Sequence, residues 1–473
     1  MVAVVFLVAQ ILGVLSSIDV VYRGARTSQG TIAWAVALNA LPIVAVPAYW
    51  VLGRSRFHGY VTARRGEDSE IREIGLNARA LAEPFVVPPE AARDVGAVRA
   101  AVSLADIPLL RGNHVELLVD GPATFESILA GIDRARDYIL FQFFIVKDDE
   151  LGGEVQRRLI AKAREGVPVY FLYDEVGSHS LPGRYKKELR SAGIEVYDFH
   201  TQQGLRNRFQ LNFRNHRKVV VVDGKEAWIG GHNVGDEYMG RDAKFGRWRD
   251  THVRIAGPAA LAAQLSFVED WYWATGRVPE VDWMPDPAPE SDMKALVIPT
   301  GPADELESAT LMFIHAIHSA RTRVWIASPY FVPDEAVMAA LHLAGLRGVD
   351  VRILIPDHPD HLLVYLAAYS YFDEASETGA DFYRYTDGFL HQKVVLIDDV
   401  SAAVGTANFD NRSFRLNFEI TALVADPAFA AEVEEMFEAD FARSRRMERG
   451  ELDRKSFWFK LGVKLARLTS PIQ

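Results

Sequence analysis

Two long apolar runs open the chain. Residues 2–18 are broken only by Gln10, Gly13 and two serines, and residues 31–53 carry no charge at all. The second run is long enough to cross the hydrocarbon core of a bilayer, and the first is close to that length. Together they predict an N-terminal two-helix transmembrane hairpin over residues 1–53. Trp34, Tyr49 and Trp50 fall at interfacial depths, and Pro42 and Pro47 are tolerable inside such a helix. A cleaved signal peptide is the alternative for the first run, but it lacks a basic leader and a small-residue cleavage site. Residues 66–103 then turn charged, Ala-rich and Pro-punctuated. This stretch predicts a linker, residues 54–105, with a helix over 70–82 and no chemistry.

From there short apolar runs alternate with stretches whose apolar positions recur every three and four residues, the signature of strands alternating with helices. The pattern occurs twice. HVELLVDGP (114–122) parallels KALVIPTGP (294–302), each a strand ending in Gly-Pro. Helices over 124–136 and 304–321 follow, then the strands ILFQFFIV and VWIASPYFV. A second helix in each half ends at EGVPVYFLYDE or RGVDVRILIPD. The expected fold class is α/β, with a layered sheet in each half and the halves related by a pseudo-two-fold axis. The Pro-rich segment 278–292 is the seam. The halves are residues 106–285 and 286–450, leaving 451–473 as a C-terminal amphipathic helix.

Within this frame one segment recurs with five key positions at one constant offset. NHRKVVVVDGKEAWIGGHN contains His216, Lys218, Asp223, Gly230 and Asn233; HQKVVLIDDVSAAVGTAN contains His391, Lys393, Asp398, Gly405 and Asn408. Each later residue lies 175 positions after its partner. Each copy predicts strand, turn, strand. Alternation puts His216 and Lys218 on one face and Asp223 on the other, in a supporting role. Gly230 and Gly405 leave backbone room beside a ligand. Two facing imidazoles can divide a displacement, one attacking and the other giving its proton to the departing oxygen. Lys218, Lys393, Asn233 and Asn408 would surround a phosphoryl group. No metal or cofactor is needed.

Asp250 and Glu419 each stand eight residues before a proline, Pro258 or Pro427. An imidazole nucleophile needs an acceptor on its other nitrogen. Asp250 is therefore expected to serve His216, and Glu419 to serve His391. Glu237 is nearer to the first motif but has no duplicate, and an ordinary buried ion pair is the plainer role for either carboxylate.

Charge narrows the substrate. With 63 acidic and 52 basic residues the net charge is −11, whereas a nucleic-acid-binding protein is normally basic. The absence of cysteine excludes disulfide and thiolate chemistry. Asp19, Arg23 and Arg26 separate the apolar runs, while Arg54, Arg56, Arg64 and Arg65 follow the second. That excess puts the catalytic part and both termini in the cytoplasm. Lys455 to Leu468 combines an apolar stripe with four basic residues. It suits either the surface of an anionic membrane or the closure of the core. Arg206, Arg208, Arg214 and Arg217 form a basic stretch that would attract an anionic headgroup or simply be solvated. His358 and His361 in DHPDH have no third convincing ligand, so a loop is expected rather than a metal site. His232 and His252 have no duplicates and are expected to be structural.

The paired HxKxxxxD motifs, each followed by Gly and Asn, resemble the phospholipase D superfamily. With WRDTHVRIAGPA, ASPYFVPDEA and NRSFRLNFE, nearly the whole chain resembles the bacterial cardiolipin synthases. The resemblance implies two phospholipase D-like pseudo-repeats and a catalytic set of His216, Lys218, Asp223, His391, Lys393 and Asp398. It implies phosphatidylglycerol as substrate, a phosphatidyl-histidine intermediate, release of glycerol and formation of cardiolipin in the bacterial inner membrane. His216 is the nucleophile by family pattern, although the sequence is symmetric. A hydrolytic phospholipase D, a transferase using phosphatidylethanolamine, a nuclease and a non-catalytic scaffold are the rivals.

Overall fold

The computed structural model describes residues 2–23, 28–53, 69–88, 90, 95–199 and 212–470. In the first half the strands that carry the duplication are β1 (Leu110–Val119), β2 (Ile139–Phe143), β3 (Val169–Asp174) and β4 (Glu195–Phe199). They continue with β5 (Val219–Val222), β6 (Glu226–Gly230) and β7 (Thr251–Ala256). Their counterparts in the second half are β8 (Met293–Thr300), β9 (Arg323–Ala327), β10 (Asp350–Pro356) and β11 (Asp381–Tyr385). The set closes with β12 (Val394–Ile397), β13 (Ser401–Gly405) and β14 (Asn417–Ala425).

These strands lie in one continuous sheet, in the order β4-β3-β2-β5-β6-β7-β1-β8-β14-β13-β12-β9-β10-β11. The second half of that order repeats the first in reverse, with the antiparallel β1–β8 pair at its centre. The duplication is thus a pseudo-two-fold arrangement that keeps a single sheet.

Alternate residues on each strand feed different faces. Leu140, Val219, Val221 and Ile229 join Leu396, Val404, Trp271 and Phe437 in one core shared by both halves. The helices Ala260–Thr275 and Pro427–Phe441 supply its other wall. On the opposite face each half has its own core. Phe141, Val220 and Trp228 pack under the Asp120–Arg134 helix, and Ile326, Val395 and Ile353 pack under the Ser308–Ser319 helix. The latter helix is shorter than its pattern predicts, because Asp304 turns back to accept the Gly301 N–H at 3.0 Å.

The N-terminal helix α1 (Val2–Arg23) contains one stretch, Val4–Tyr22, long and apolar enough to cross a membrane. The second apolar run does not form a single span. It divides into α2 (Ser28–Ala40) and α3 (Pro42–Leu52), which fold back on each other and bring Trp34 and Tyr49 to 5.3 Å. The cause is local. Leu41 precedes a proline, which excludes it from the helical region (φ −136°, ψ 58°), and Pro42 is preorganised to start a new helix. Asp19 accepts the Tyr49 hydroxyl at 3.0 Å, and Gly13 lies against the Leu38 carbonyl where any Cβ would clash. The two-helix hairpin expected from hydropathy is therefore replaced by one long helix and a folded-back pair.

Candidate active site

Each histidine is delivered to the other half. The two residues before the first motif, Arg214–Asn215, pair in parallel with Asn417 and Phe418 of β14. The His216 N–H continues this ladder to the Phe418 carbonyl at 2.9 Å. Reciprocally, Phe389–Leu390 pairs with Trp248–Arg249, and the His391 N–H donates to the Arg249 carbonyl at 2.8 Å.

This exchange decides the carboxylate partners, and it reverses the expected assignment. His216 Nδ1 lies 2.8 Å from Glu419, and His391 Nδ1 lies 2.7 Å from Asp250. Every imidazole–carboxylate pair therefore spans the two halves. Thr406 Oγ1 (2.6 Å) and Asn417 Nδ2 (3.1 Å) donate to Glu419, and the Thr251 N–H donates to Asp250 at 2.8 Å. With Nδ1 directed at a carboxylate, each ring keeps Nε2 for chemistry.

The four motif side chains and both carboxylates are buried. Burial lowers His216 to about 4, against the opposing pull of Glu419, and Lys218 and Lys393 lower it further. His391 falls well below its ordinary value through burial, then through Lys393 and Lys218. Burial also brings Lys218 to about 7 and Lys393 to about 8. Glu419 is pulled below the usual range by His216 and Lys218 although burial opposes this. The influence crosses between the motifs: Lys393 acts on His216, and His216 acts on His391. The two motifs share one electrostatic site, which holds neutral imidazoles beside lysines poised near neutrality.

Lys218 Nζ donates to the His216 carbonyl at 2.7 Å, and Lys393 Nζ lies 2.9 Å from His391 Nδ1. Phe144 packs edge-on to His216 at 5.0 Å, and Trp248 packs against His391 at 5.2 Å. These aromatics fix the rings, and nothing in the duplicated pattern announces them.

Several expected roles change. Asp223 and Asp398 are not in the site. Each occupies the left-handed region, φ 54° and 51°, in the turn that follows its strand. Asp223 accepts the N–H groups of Arg136, Asp137 and Tyr138; Asp398 accepts those of Arg321, Thr322 and Arg323. They fasten a helix-to-strand turn to the hairpin. Gly230 and Gly405 leave room for protein rather than ligand, since a Cβ would strike β7 at Thr251–His252 or β14 at Ile420–Thr421. Arg217 is fully buried and paired with Asp270 at 2.8 Å, so it cannot attract a headgroup. Arg214 is partly buried and donates to the Phe213 carbonyl at 2.6 Å, whereas Arg206 and Arg208 lie outside the described residues.

Asn233 is largely engaged: its carbonyl accepts from the Ile145 N–H and its amide donates to the Tyr238 hydroxyl, both at 3.0 Å. Asn408 keeps a buried Oδ1 with no hydrogen-bond partner among the described residues. His232 and His252 are buried side by side with tilted rings, Nδ1 to Nδ1 at 3.1 Å. Glu237 forms a 2.5 Å pair with Lys147.

Asp360 was hidden in the DHPDH loop. It accepts the Tyr330 hydroxyl at 2.5 Å, and its charge favours the protonated forms of His391 and Lys393. Its only sequence signal is its place just after a strand end, on the edge where the motif strands begin.

The family model described as cardiolipin synthase, PLD-like domain, matches residues 128–258 and again 313–441. The chain belongs to this family. Residues 11–54 match a second model, the phospholipase D-nuclease N-terminal region. Cardiolipin synthase A of Pseudomonas entomophila strain L48 is 49% identical over 98% of this chain and 96% of its own length. Cardiolipin synthase A of Pseudomonas putida strain GB-1 has the same identity and coverage. The solved phosphatidylserine synthase of Haemophilus influenzae Rd KW20 shares the fold, with TM-score 0.61 at 16% identity, over 80% of this chain and 100% of that one. Membership in this family and the apolar Val4–Tyr22 helix make the protein a membrane-associated enzyme acting on phospholipid.

Proposed function

We propose that the protein is a cardiolipin synthase that transfers a phosphatidyl group between two phosphatidylglycerol molecules. The observation that carries this reading is the pair of imidazoles, each held by a carboxylate of the opposite half, in one buried site with two lysines. His216 Nε2 attacks phosphorus, the bond from phosphorus to the glycerol oxygen breaks, and His391 Nε2 gives that oxygen its proton. Neutral His391 then takes the proton of the second phosphatidylglycerol's hydroxyl. The resulting oxygen displaces His216 and yields cardiolipin, with the roles exchanged as reversibility requires.

Burial supplies the neutral nucleophile. The proton on His391 is drawn in by the phosphodiester's negative charge, assisted by Asp360. Lys218 and Lys393 neutralise the phosphoryl oxygens, joined by Asn408 and the remaining N–H of Asn233. Both acyl-bearing substrates stay in the bilayer, which concentrates the acceptor hydroxyl against water.

The catalytic body belongs on the cytoplasmic face of a bacterial inner membrane, beside the arginines that follow α3. A second contact is the Phe457–Arg467 helix. Its Val463 and Ala466 are buried, whereas Phe457, Trp458 and Leu468 are 70%, 76% and 76% exposed on the other side. It both closes the core and offers an apolar, basic face to anionic lipid.

Purified protein in phosphatidylglycerol vesicles tests the reaction. Cardiolipin and glycerol are expected in equal amounts, and phosphatidic acid alone would make the protein a hydrolase. In His391→Ala, labelled lipid should be trapped on His216; a label on His391 in His216→Ala would reverse the roles.

A further inference from the structure

The outer face of the sheet is packed differently in the two halves. In the first half, Phe141 and Trp228 lie on either side of Val220 in the strand register. Trp228 is fully buried and so close to Gly131 that a Cβ there would strike its ring. The same register in the second half places Ile326 and Ala403 on either side of Val395. One strand further, His252 opposite Gly230 becomes Thr421 opposite Gly405. Each substitution is smaller, and the shortfall is not refilled.

A cavity of about 550 Å³ results, lined by Leu296, Ile326, Val395, Ala403 and Met312. The Val95–Ala105 helix covers it, held by a 2.9 Å hydrogen bond between His315 and the Ala97 carbonyl. Lys393 lines the same cavity, on the same face of β12 as Val395 and Ile397, and Asp398 stands at the far end. Five residue steps lead from Lys393 to Asp398, about 17 Å at roughly 3.3 Å each. That is close to one leaflet's share of a ~30 Å hydrocarbon core.

We infer that this cavity receives one acyl chain of a phospholipid substrate, with the chain's glycerol end at Lys393 and its methyl end towards Asp398. The inference rests on the phosphatidyl-transfer reading and extends it. The volume is ordinary for a ligand site, the lining is apolar, and the inner end is Lys393, which the proposed reaction sets against the phosphoryl group. Trp228 marks what the position holds where no chain is to be admitted. Among the described residues Trp228 fills the corresponding position of the first half, so the two lipids of one turnover are gripped differently.

The test uses the full chain in phosphatidylglycerol vesicles doped with an analogue carrying a photoreactive group at the acyl terminus. Illumination and peptide mapping should place label on the Ser308–Ser319 helix and on β12 and β13. Ala403→Trp, which restores the first-half residue, should lower that labelling at least about tenfold, the equivalent of losing burial of two methylenes. It should also raise KM for long-chain relative to short-chain phosphatidylglycerol. A melting curve checks that the variant is folded, and Ala403→Leu serves if it is not. Label confined to the N-terminal helices and the Phe457–Arg467 helix would overturn the inference, as would undiminished cavity labelling in a folded Ala403→Trp. Failure of the wild-type protein to make cardiolipin would refute the reaction while leaving the map of the chain intact.

Discussion

At the scale of single residues, burial outweighs charge. Sequence alone sets lysines against carboxylates around each imidazole without deciding the balance. The structure decides it, because every group is buried and desolvation is the largest influence on both rings. The lysines carry the consequence. They must be protonated to hold a phosphoryl group, and Lys218 loses its proton near 7 and Lys393 near 8. Since kcat/KM reports groups of the free enzyme, it should decline as pH rises because His391 must gain a proton, and an alkaline limb should steepen the decline between about 7 and 8, where the lysines lose theirs. The neutral nucleophile should persist on the acid side to about 4. Lys218→Arg should move the alkaline limb upward; a limb that stays in place would show that another group sets it.

The carboxylates separate into two kinds at this scale. Glu419→Gln should reduce kcat by about 10²–10⁴-fold, as expected when the partner of a catalytic imidazole loses its charge. Asp398→Asn should leave kcat unchanged, because Asn tolerates positive φ, while losing the charge and the Oδ2 that faces the Arg321 N–H lowers stability by about 1–3 kcal/mol. Rate measurements and melting curves on the two variants should give opposite profiles. Asp223 and Asp398 illustrate the limit of a motif: their spacing is legible because the turn demands it, not because the chemistry does.

At the scale of elements, hydrophobic length proved a weaker guide than proline. Residues 31–53 have the length and apolarity of a span, but Pro42 ends one helix and starts another, and the two fold back beside α1. Ser28, at the start of α2, should then lie on the same side of the membrane as the catalytic body. In the expected hairpin it would lie on the opposite side. The chain has no cysteine, so single cysteines placed at Ser28 and at exposed Asp453 can be compared directly. An impermeant maleimide should reach both from the same side, and opposite accessibility would restore a full second span. Strands were more readable than helices because β-branched runs buried on both faces have few alternatives. The exchanged two-residue strands before each histidine are too short to leave any pattern.

At the scale of the molecule, the halves are one unit. They share a continuous sheet and a core, and each imidazole depends on the other half for its carboxylate. Arg217 and Asp270, both fully buried, lie beneath the same junction, and breaking such a pair costs about 3–5 kcal/mol. Calorimetry should therefore show residues of both halves unfolding in one cooperative transition, with the calorimetric and van't Hoff enthalpies in agreement. Residues 1–285 expressed without 286–473 should be inactive, and co-expression of the two pieces should recover activity. A half that retains turnover alone would contradict the shared site.

The sequence by itself determined the duplication, the α/β layering, the pairing of two histidine–lysine motifs, and one membrane-length helix. Those features follow from periodicity and residue type, which are local properties written along the chain. Tertiary structure alone decided which carboxylate holds which ring, that the motif aspartates fasten turns, where the second apolar run bends, and that the second half carries a cavity where Trp228 fills the first. These depend on which strands become neighbours and how tightly they approach. A spacing can announce two matching halves, but only their packing shows that each completes the other.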